Sequence, residues 1–204
     1  MRRYILTGAP GAGKTSILQI LAARGYPVVA EAATDVIAAE QARGVAEPWQ
    51  DPVFIDKIIE LQRTRQLGQH RGGLRGSRAL HPPPTTPGQH RGDQPGQVEF
   101  YDRSPVCTLA LAKYVGFEPS KALSAELDRV IGDGIYQRQV FLIRPLGFIE
   151  PTAARRISYE DSLRFEQIHE AIYARLNFRL IDVNPDSPEA RAAFICDQLT
   201  ARAD

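Results

Sequence analysis

Gly8-Ala9-Pro10-Gly11-Ala12-Gly13-Lys14-Thr15 follows the pattern G-x-x-x-x-G-K-[ST], the phosphate-binding P-loop. Its surroundings suit that motif. The apolar run Tyr4-Ile5-Leu6 before it fits a buried strand, and Ile17, Leu18 and Leu21 after it recur at helical spacing. The motif is therefore expected at a strand-to-helix turn. Gly8, Gly11 and Gly13 let the backbone turn tightly, so that its N–H groups face a phosphate chain. The helix dipole adds positive potential at the same point. Lys14 is placed to reach β- and γ-phosphates, the Thr15 hydroxyl to hold Mg²⁺, and Ser16 to make a lesser phosphate contact. The alternative, a glycine-rich turn that only caps a helix, is disfavoured by Lys14-Thr15 and by the flanking strand and helix. ATP with Mg²⁺ is the expected cofactor.

The 204 residues suggest a single domain, with enough chain to bury a substantial core. A formal net charge of +1 gives no global attraction to nucleic acid or to acidic membranes. Cys107 and Cys196 are far apart and lack metal-ligand spacing, so a cytoplasmic chain with reduced thiols is expected. No apolar run approaches membrane-spanning length, and no signal-peptide core is visible.

Beyond the P-loop, strand and helix patterns alternate. Residues 27–30 read as a second buried strand, with Glu31 at its C-terminal end. Ligands of open α/β sheets bind at that edge, so Glu31 is a candidate to hydrogen-bond a substrate hydroxyl. Equally, it fits an acidic residue in the first turn of the helix over 32–44. A helix is expected over 51–66, opened by Asp51-Pro52 and carrying Phe54, Ile55, Ile58, Ile59 and Leu61 on one broad face. Trp49, just before it, reads as a core anchor rather than as a stacking platform for a base. Further strands are expected over 98–101, 140–143 and 178–183, and helices from 105 to about 115, over 120–131 and 159–176, and from Ser187-Pro188-Glu189 onward. Ser104 is the expected cap of the helix that begins at Pro105. This alternation implies a five-stranded parallel sheet with crossover helices.

Residues 68–97 differ in character. They are dense in Gly, Pro and Arg, repeat GQHRG at 68–72 and 88–92, and hold His70, His81 and His90. Such a segment cannot bury enough apolar surface to offset its ordering entropy. It reads as a disordered insertion, or as an out-of-frame stretch of a GC-rich coding sequence that returns to frame near Val98. Its histidines lack the carboxylate or thiol pattern of a metal site.

Asp102 ends the third strand, where phosphoryl transfer needs a carboxylate to hold Mg²⁺ or to accept the proton of an attacking hydroxyl. Arg103 beside it can pair with an anionic substrate group or with the transferring phosphoryl. Arg155 and Arg156 lie in the loop before the helix at 159 and suit a lid that closes over the phosphates. The loop after the fifth strand, around Asn184 to Ser187, is the expected adenine contact, with no diagnostic side chain.

TGAPGAGKT (7–15), RGYPVVAEAA (24–33), FYDRSP (100–105) and RRISYEDSLRFEQIHEAIYARL (155–176) together resemble a group of P-loop AAA-domain proteins. That group is related to the ribosylnicotinamide kinase domain of bacterial NAD-biosynthesis regulators. More broadly, the chain is similar to nucleoside and nucleotide kinases. The resemblance spans most of the chain outside 68–97 and implies a three-layer, nucleoside kinase-like P-loop NTPase fold with a lid. It carries over Asp102 as base or Mg²⁺ partner, Arg103 as a substrate-side arginine, Arg156 as the lid arginine, and Glu31 as the acidic position after the second strand. It does not supply the acceptor. The leading expectation is a Mg-ATP-dependent kinase acting on a small nucleoside-like or other hydroxyl acceptor. A nucleotide-dependent switch with slow hydrolysis, and a product disabled by residues 68–97, stand as alternatives.

Overall fold

Strand β1 (Arg2–Thr7) runs through the centre of the molecule, and its residues alternate between two cores. Ile5 packs to one side, Tyr4 and Leu6 to the other, as the two-residue period of a strand requires. The computed structural model describes residues 1–68, 97–147 and 157–200. In order, β1 is followed by α1 (Lys14–Ala23), β2 (Val28–Val29), α2 (Ala32–Ala42) and α3 (Val53–Gln66). Then come β3 (Val98–Asp102), α4 (Pro105–Tyr114), α5 (Lys121–Gly132), β4 (Gln139–Ile143), α6 (Tyr159–Arg175), β5 (Arg179–Val183) and α7 (Pro188–Thr200). A short 3-10 turn, Pro48–Gln50, precedes α3.

The five strands form one parallel sheet in the order β2-β3-β1-β4-β5. Helices α1 and α7 cover one face, joined to it by Leu6, Phe100, Phe141 and Val183. Helices α2 to α6 cover the other through Ile5, Tyr101 and Val140. Both faces are therefore apolar, and the interior of the sheet reads as hydrophobic runs, as buried parallel strands do, while edge strand β5 leaves Arg179 and Asp182 exposed. Tyr4 lies between Phe100 and Phe141, with ring centroids 6.1 and 5.8 Å away. Burying each such ring stabilises the fold by about 1.5–3 kcal/mol.

This arrangement is the expected five-stranded, three-layer α/β sheet. Several boundaries differ by one or two residues, and two of these differences have a visible cause. The second strand is only Val28–Val29, because it is an edge strand that pairs with β3 alone. Helix α3 begins at Val53, one residue beyond the expected proline, and the Asp51 carboxylate accepts the Val53 N–H at 2.9 Å. The Gly/Pro/Arg-rich stretch lies outside the described residues apart from its ends, Gly68 and Gln97, and so do Arg155 and Arg156. Among the described residues, no helix is long and apolar enough to cross a membrane. Both cysteines are free thiols.

Candidate functional site

Parallel pairing places three chain segments side by side at the C-terminal edge of the sheet. Leu6 of β1 is in register with Asp102 of β3, and Val29 of β2 with Tyr101. The P-loop, Asp102-Arg103 and Glu31 thereby converge, although they are distant in sequence. They open on a cleft of about 650 Å³ that Lys14, Thr15, Ser16, Glu31, Asp102 and Arg103 help to line.

The P-loop itself is tightly built. Gly8, Gly11 and Gly13 have φ of 129°, 86° and 88°, in the region that favours glycine. A Cβ on Gly8 would overlap the Ile143 carbonyl oxygen, so this turn passes directly against β4. Gly13 caps α1, and Ile17 N–H donates to its carbonyl. Thr15 and Ser16 follow on the first turn, exposed to the cleft. The Lys14 ammonium is buried and donates to the carbonyls of Gly8 at 3.1 Å and Ala9 at 2.8 Å. Burial, with the Arg103 charge behind it, lowers the Lys14 pKa to about 8 against the smaller pull of Asp102 and Glu31.

Asp102 is the most distinctive group of the site. It is 7% exposed, and its Oδ1 has no hydrogen-bond partner. Burial raises its pKa to about 7, and the Glu31 charge adds to the shift, against partial relief from Lys14 and Arg103. A buried carboxylate oxygen left open in a phosphate-binding cleft matches the needs of a Mg²⁺ ion or of a hydroxyl proton. No group of three or more His, Cys, Asp or Glu side chains among the described residues could hold a metal alone. That fits Mg²⁺, which is typically bound by one or two carboxylates together with substrate phosphates. Thr15 would hold it, with Asp102 as the carboxylate that would complete its shell wherever its open oxygen is not taken by a hydroxyl proton.

Arg103 adopts φ 71°, unusual for a residue with a side chain. Its Nε donates to Glu31 Oε1 at 2.5 Å, and its Nη1 lies 3.3 Å from His169 Nε2. The His169 Nδ1 is 2.8 Å from the Phe165 carbonyl oxygen, which can only accept. The proton is therefore on Nδ1, and Nε2 accepts from Arg103. Burial, reinforced by the Arg103 charge, lowers the His169 pKa to about 3, so the ring stays neutral. Glu31 occupies the N-cap position of α2, but its carboxylate binds Thr34 Oγ1 at 2.8 Å and Arg103 rather than the helix backbone. Burial raises its pKa, but Arg103 and Lys14 outweigh that and hold it below the usual carboxylate value.

Ser104 stands at the expected cap position of α4, yet its side chain makes no capping hydrogen bond. Its hydroxyl lies 3.0 Å from the Tyr173 hydroxyl, which also contacts Cys107 Sγ at 3.1 Å. The tertiary contact has replaced the local one, tying α4 to α6 beneath the site.

Several site-shaping residues are invisible to motif reading. Glu166 on α6 accepts the P-loop Ala9 N–H at 3.4 Å and pairs with Arg144 at 2.8 Å. Arg191 on α7 donates to the Ala12 carbonyl at 2.8 Å and to the Arg144 and Val183 carbonyls at 2.7 and 3.2 Å. Arg65 on α3 donates to the Ala30 and Glu31 carbonyls at 3.0 and 2.7 Å and pairs with Asp35, fixing the corner that presents Glu31. Only the helical register of Glu166 and His169, on the same face as Phe165 and Tyr173, offered a sequence signal for any of them.

The expected adenine loop is described, and Asn184, Asp186 and Phe194 line a small depression there, separate from the main cleft.

Against this geometry, a family model described as an AAA domain matches residues 3–77 and 86–191, most of the chain. The match enters the Gly/Pro/Arg-rich stretch from both sides and omits 78–85. No curated protein matches the sequence.

Proposed function

The chain belongs to the AAA-domain family, whose P-loop implies nucleotide binding, usually with Mg²⁺; from that premise we propose that it is a Mg-ATP-dependent kinase of a small hydroxyl acceptor. The observation that carries this reading is Asp102. A carboxylate that only held Mg²⁺ would work best ionised, whereas Asp102, buried with an open oxygen and a pKa near 7, is poised to take a proton.

In this reading, the P-loop from Gly8 to Thr15, including Ala9, Pro10 and Ala12, wraps the phosphates, with Ser16 as a further contact. Lys14 exchanges its loop carbonyls for phosphate oxygens and offsets charge on the transferring group. Mg²⁺, held by Thr15 and the phosphate oxygens, would neutralise phosphate charge, which leaves the open Asp102 oxygen for the acceptor proton. The acceptor oxygen bonds to the γ-phosphorus as the bond from that phosphorus to the β–γ bridging oxygen breaks. The hydroxyl proton passes to Asp102, and ADP leaves. Glu31 and His169 hold Arg103 at the point where the acceptor meets the phosphoryl group. Arg155 and Arg156 act as the lid that excludes water. The kinship with ribosylnicotinamide kinase domains and a cytoplasmic setting belong to the same proposal.

The test is ADP release measured against a broad panel of hydroxyl compounds, with Lys14→Ala as control. A kinase accelerates ADP release when its acceptor is added. A rate equal to water hydrolysis across the panel, with nucleotide affinity coupled instead to a macromolecular partner, would favour a nucleotide-dependent switch.

A further inference from the structure

The two carbonyls that hold Lys14 belong to unlike peptide units. The Ala9 carbonyl, 2.8 Å from the ammonium, leads into Pro10, so its peptide has no N–H by which a neighbour could orient it. The Gly8 carbonyl, 3.1 Å from the ammonium, shares its peptide with the Ala9 N–H. In a planar trans peptide those two groups point in opposite directions. Whatever binds the Ala9 N–H therefore decides whether the Gly8 carbonyl faces Lys14.

The local chain does little to fix that peptide. Gly8 has φ 129° and no side chain, so rotation of the unit after it meets few local barriers. The Ile143 carbonyl lies too close for a Cβ to stiffen the turn. The constraint comes from α6 instead. Glu166 Oε2 accepts the Ala9 N–H at 3.4 Å, and Glu166 Oε1 accepts from Arg144 Nη1 at 2.8 Å. Arg144 also pairs with Glu170 of α6 and, at 2.8 Å, with Asp182 of β5. The carboxylate is only 4% exposed and is anchored from outside the P-loop. Ala9 is fully buried, so water does not replace this partner. A hydrogen-bonded chain thus runs from Arg144 through Glu166 and the Gly8–Ala9 peptide to Lys14. A bond at the N–H polarises the peptide and strengthens its carbonyl as an acceptor.

We infer that Glu166 is a positioning residue for nucleotide binding: through the Gly8–Ala9 peptide it holds the Lys14 ammonium at the phosphate end of the cleft. Without it the peptide turns, Lys14 loses one of its two carbonyls, and a long flexible side chain has to be ordered when the phosphates arrive. That cost corresponds to a roughly tenfold loss of affinity. The role needs nucleotide binding alone and is indifferent to whether an acceptor is phosphorylated.

Full-length wild type, Glu166→Leu, Lys14→Met and the double variant are titrated with a non-hydrolysable ATP analogue and Mg²⁺. Binding is read calorimetrically and, where it is weak, as the Tm shift at millimolar analogue. Glu166→Leu is expected to raise the Kd roughly tenfold. In the Lys14→Met background the same substitution is expected to change the Kd by less than about twofold, because the side chain it acts through is gone. A carboxylate that only supported the fold would weaken binding by the same factor in both backgrounds, and that additive result overturns the inference. So does a Kd that Glu166→Leu leaves unchanged, or a wild-type chain that does not bind the analogue. If Glu166→Leu does not fold, Glu166→Gln completes the cycle. Its single oxygen cannot serve both Arg144 and the Ala9 N–H, so a smaller loss confined to chains that keep Lys14 is expected, and an additive or absent loss overturns the inference equally. Phosphoryl transfer plays no part in this cycle, so its outcome is independent of the kinase reading.

Discussion

Replacing Asp102 with Asn should stabilise the nucleotide-free protein at neutral pH while abolishing its chemistry. Burial, followed by Glu31 repulsion, moves the Asp102 carboxyl from its ordinary 3.8 to about 7. The folded protein thus retains a proton at Asp102 over a pH range in which the unfolded chain has lost it. The stability tied to that proton is complete below about pH 4 and is lost as pH rises through about 7. At 1.36 kcal/mol per pKa unit, the loss between pH 5 and pH 7.5 is about 2–3 kcal/mol. That window ends below the Lys14 pKa of about 8, so most of the Lys14 titration lies outside it. Urea unfolding of the wild type and Asp102→Asn at both pH values isolates the effect, because every other titrating group is common to the two chains. The wild type should lose about 2–3 kcal/mol more than the variant on going to pH 7.5. Parallel pH dependence in the two proteins would show that Asp102 is neither desolvated nor poised, and the argument for it as a proton acceptor would fall.

Other contacts make separate demands. Arg191→Met deprives the Ala12 and Arg144 carbonyls of their guanidinium partner, whereas Val183 keeps the Arg144 N–H. It should cost roughly 3 kcal/mol in urea unfolding and weaken Mg-ATP binding in calorimetry, and an unchanged protein would refute the pinning of the P-loop by α7. Gly8→Ala meets both the φ of 129° and the Ile143 carbonyl, so a destabilisation of roughly 3 kcal/mol is expected, and a loss under about 1 would contradict the close approach. His169→Leu leaves Arg103 without its neutral acceptor, so kcat should fall roughly tenfold with the KM for ATP unchanged. His169→Gln, which keeps an acceptor, should recover much of that loss; equal defects in both variants would make His169 a packing residue only.

The P-loop was legible because its function is local: eight consecutive residues carry the glycines, the lysine and the hydroxyl. The central strands were legible because both faces of the sheet are covered there, which gives Tyr4-Ile5-Leu6 and Val140-Phe141-Leu142-Ile143 as apolar runs. Asp102 was legible from its place at a strand end, but its open oxygen and raised pKa were not, since both arise from burial against other segments. Glu31 could be read in two ways, as a substrate ligand or as an acid in the first turn of a helix. It takes the N-cap position yet spends its carboxylate on Arg103 and Thr34. Ser104 was misread for a related reason: local sequence favours a cap, while the Tyr173 hydroxyl, on a helix far along the chain, competes for the same side chain. Glu166, His169 and Arg191 act only through contacts made once α6 and α7 have folded onto the P-loop. Taken alone in sequence, each looks like an ordinary helical polar residue.

The most direct test of the central claim is the fate of the γ-phosphate. ATP labelled at that position is incubated with Mg²⁺, the protein and a pool of small hydroxyl metabolites, and the label is followed chromatographically. The kinase reading predicts label in an organic phosphate ester. It also predicts that this product is lost in Asp102→Asn, while Mg-ATP still raises the Tm of that variant. Label appearing only as inorganic phosphate, at the same rate with and without the pool, would contradict it.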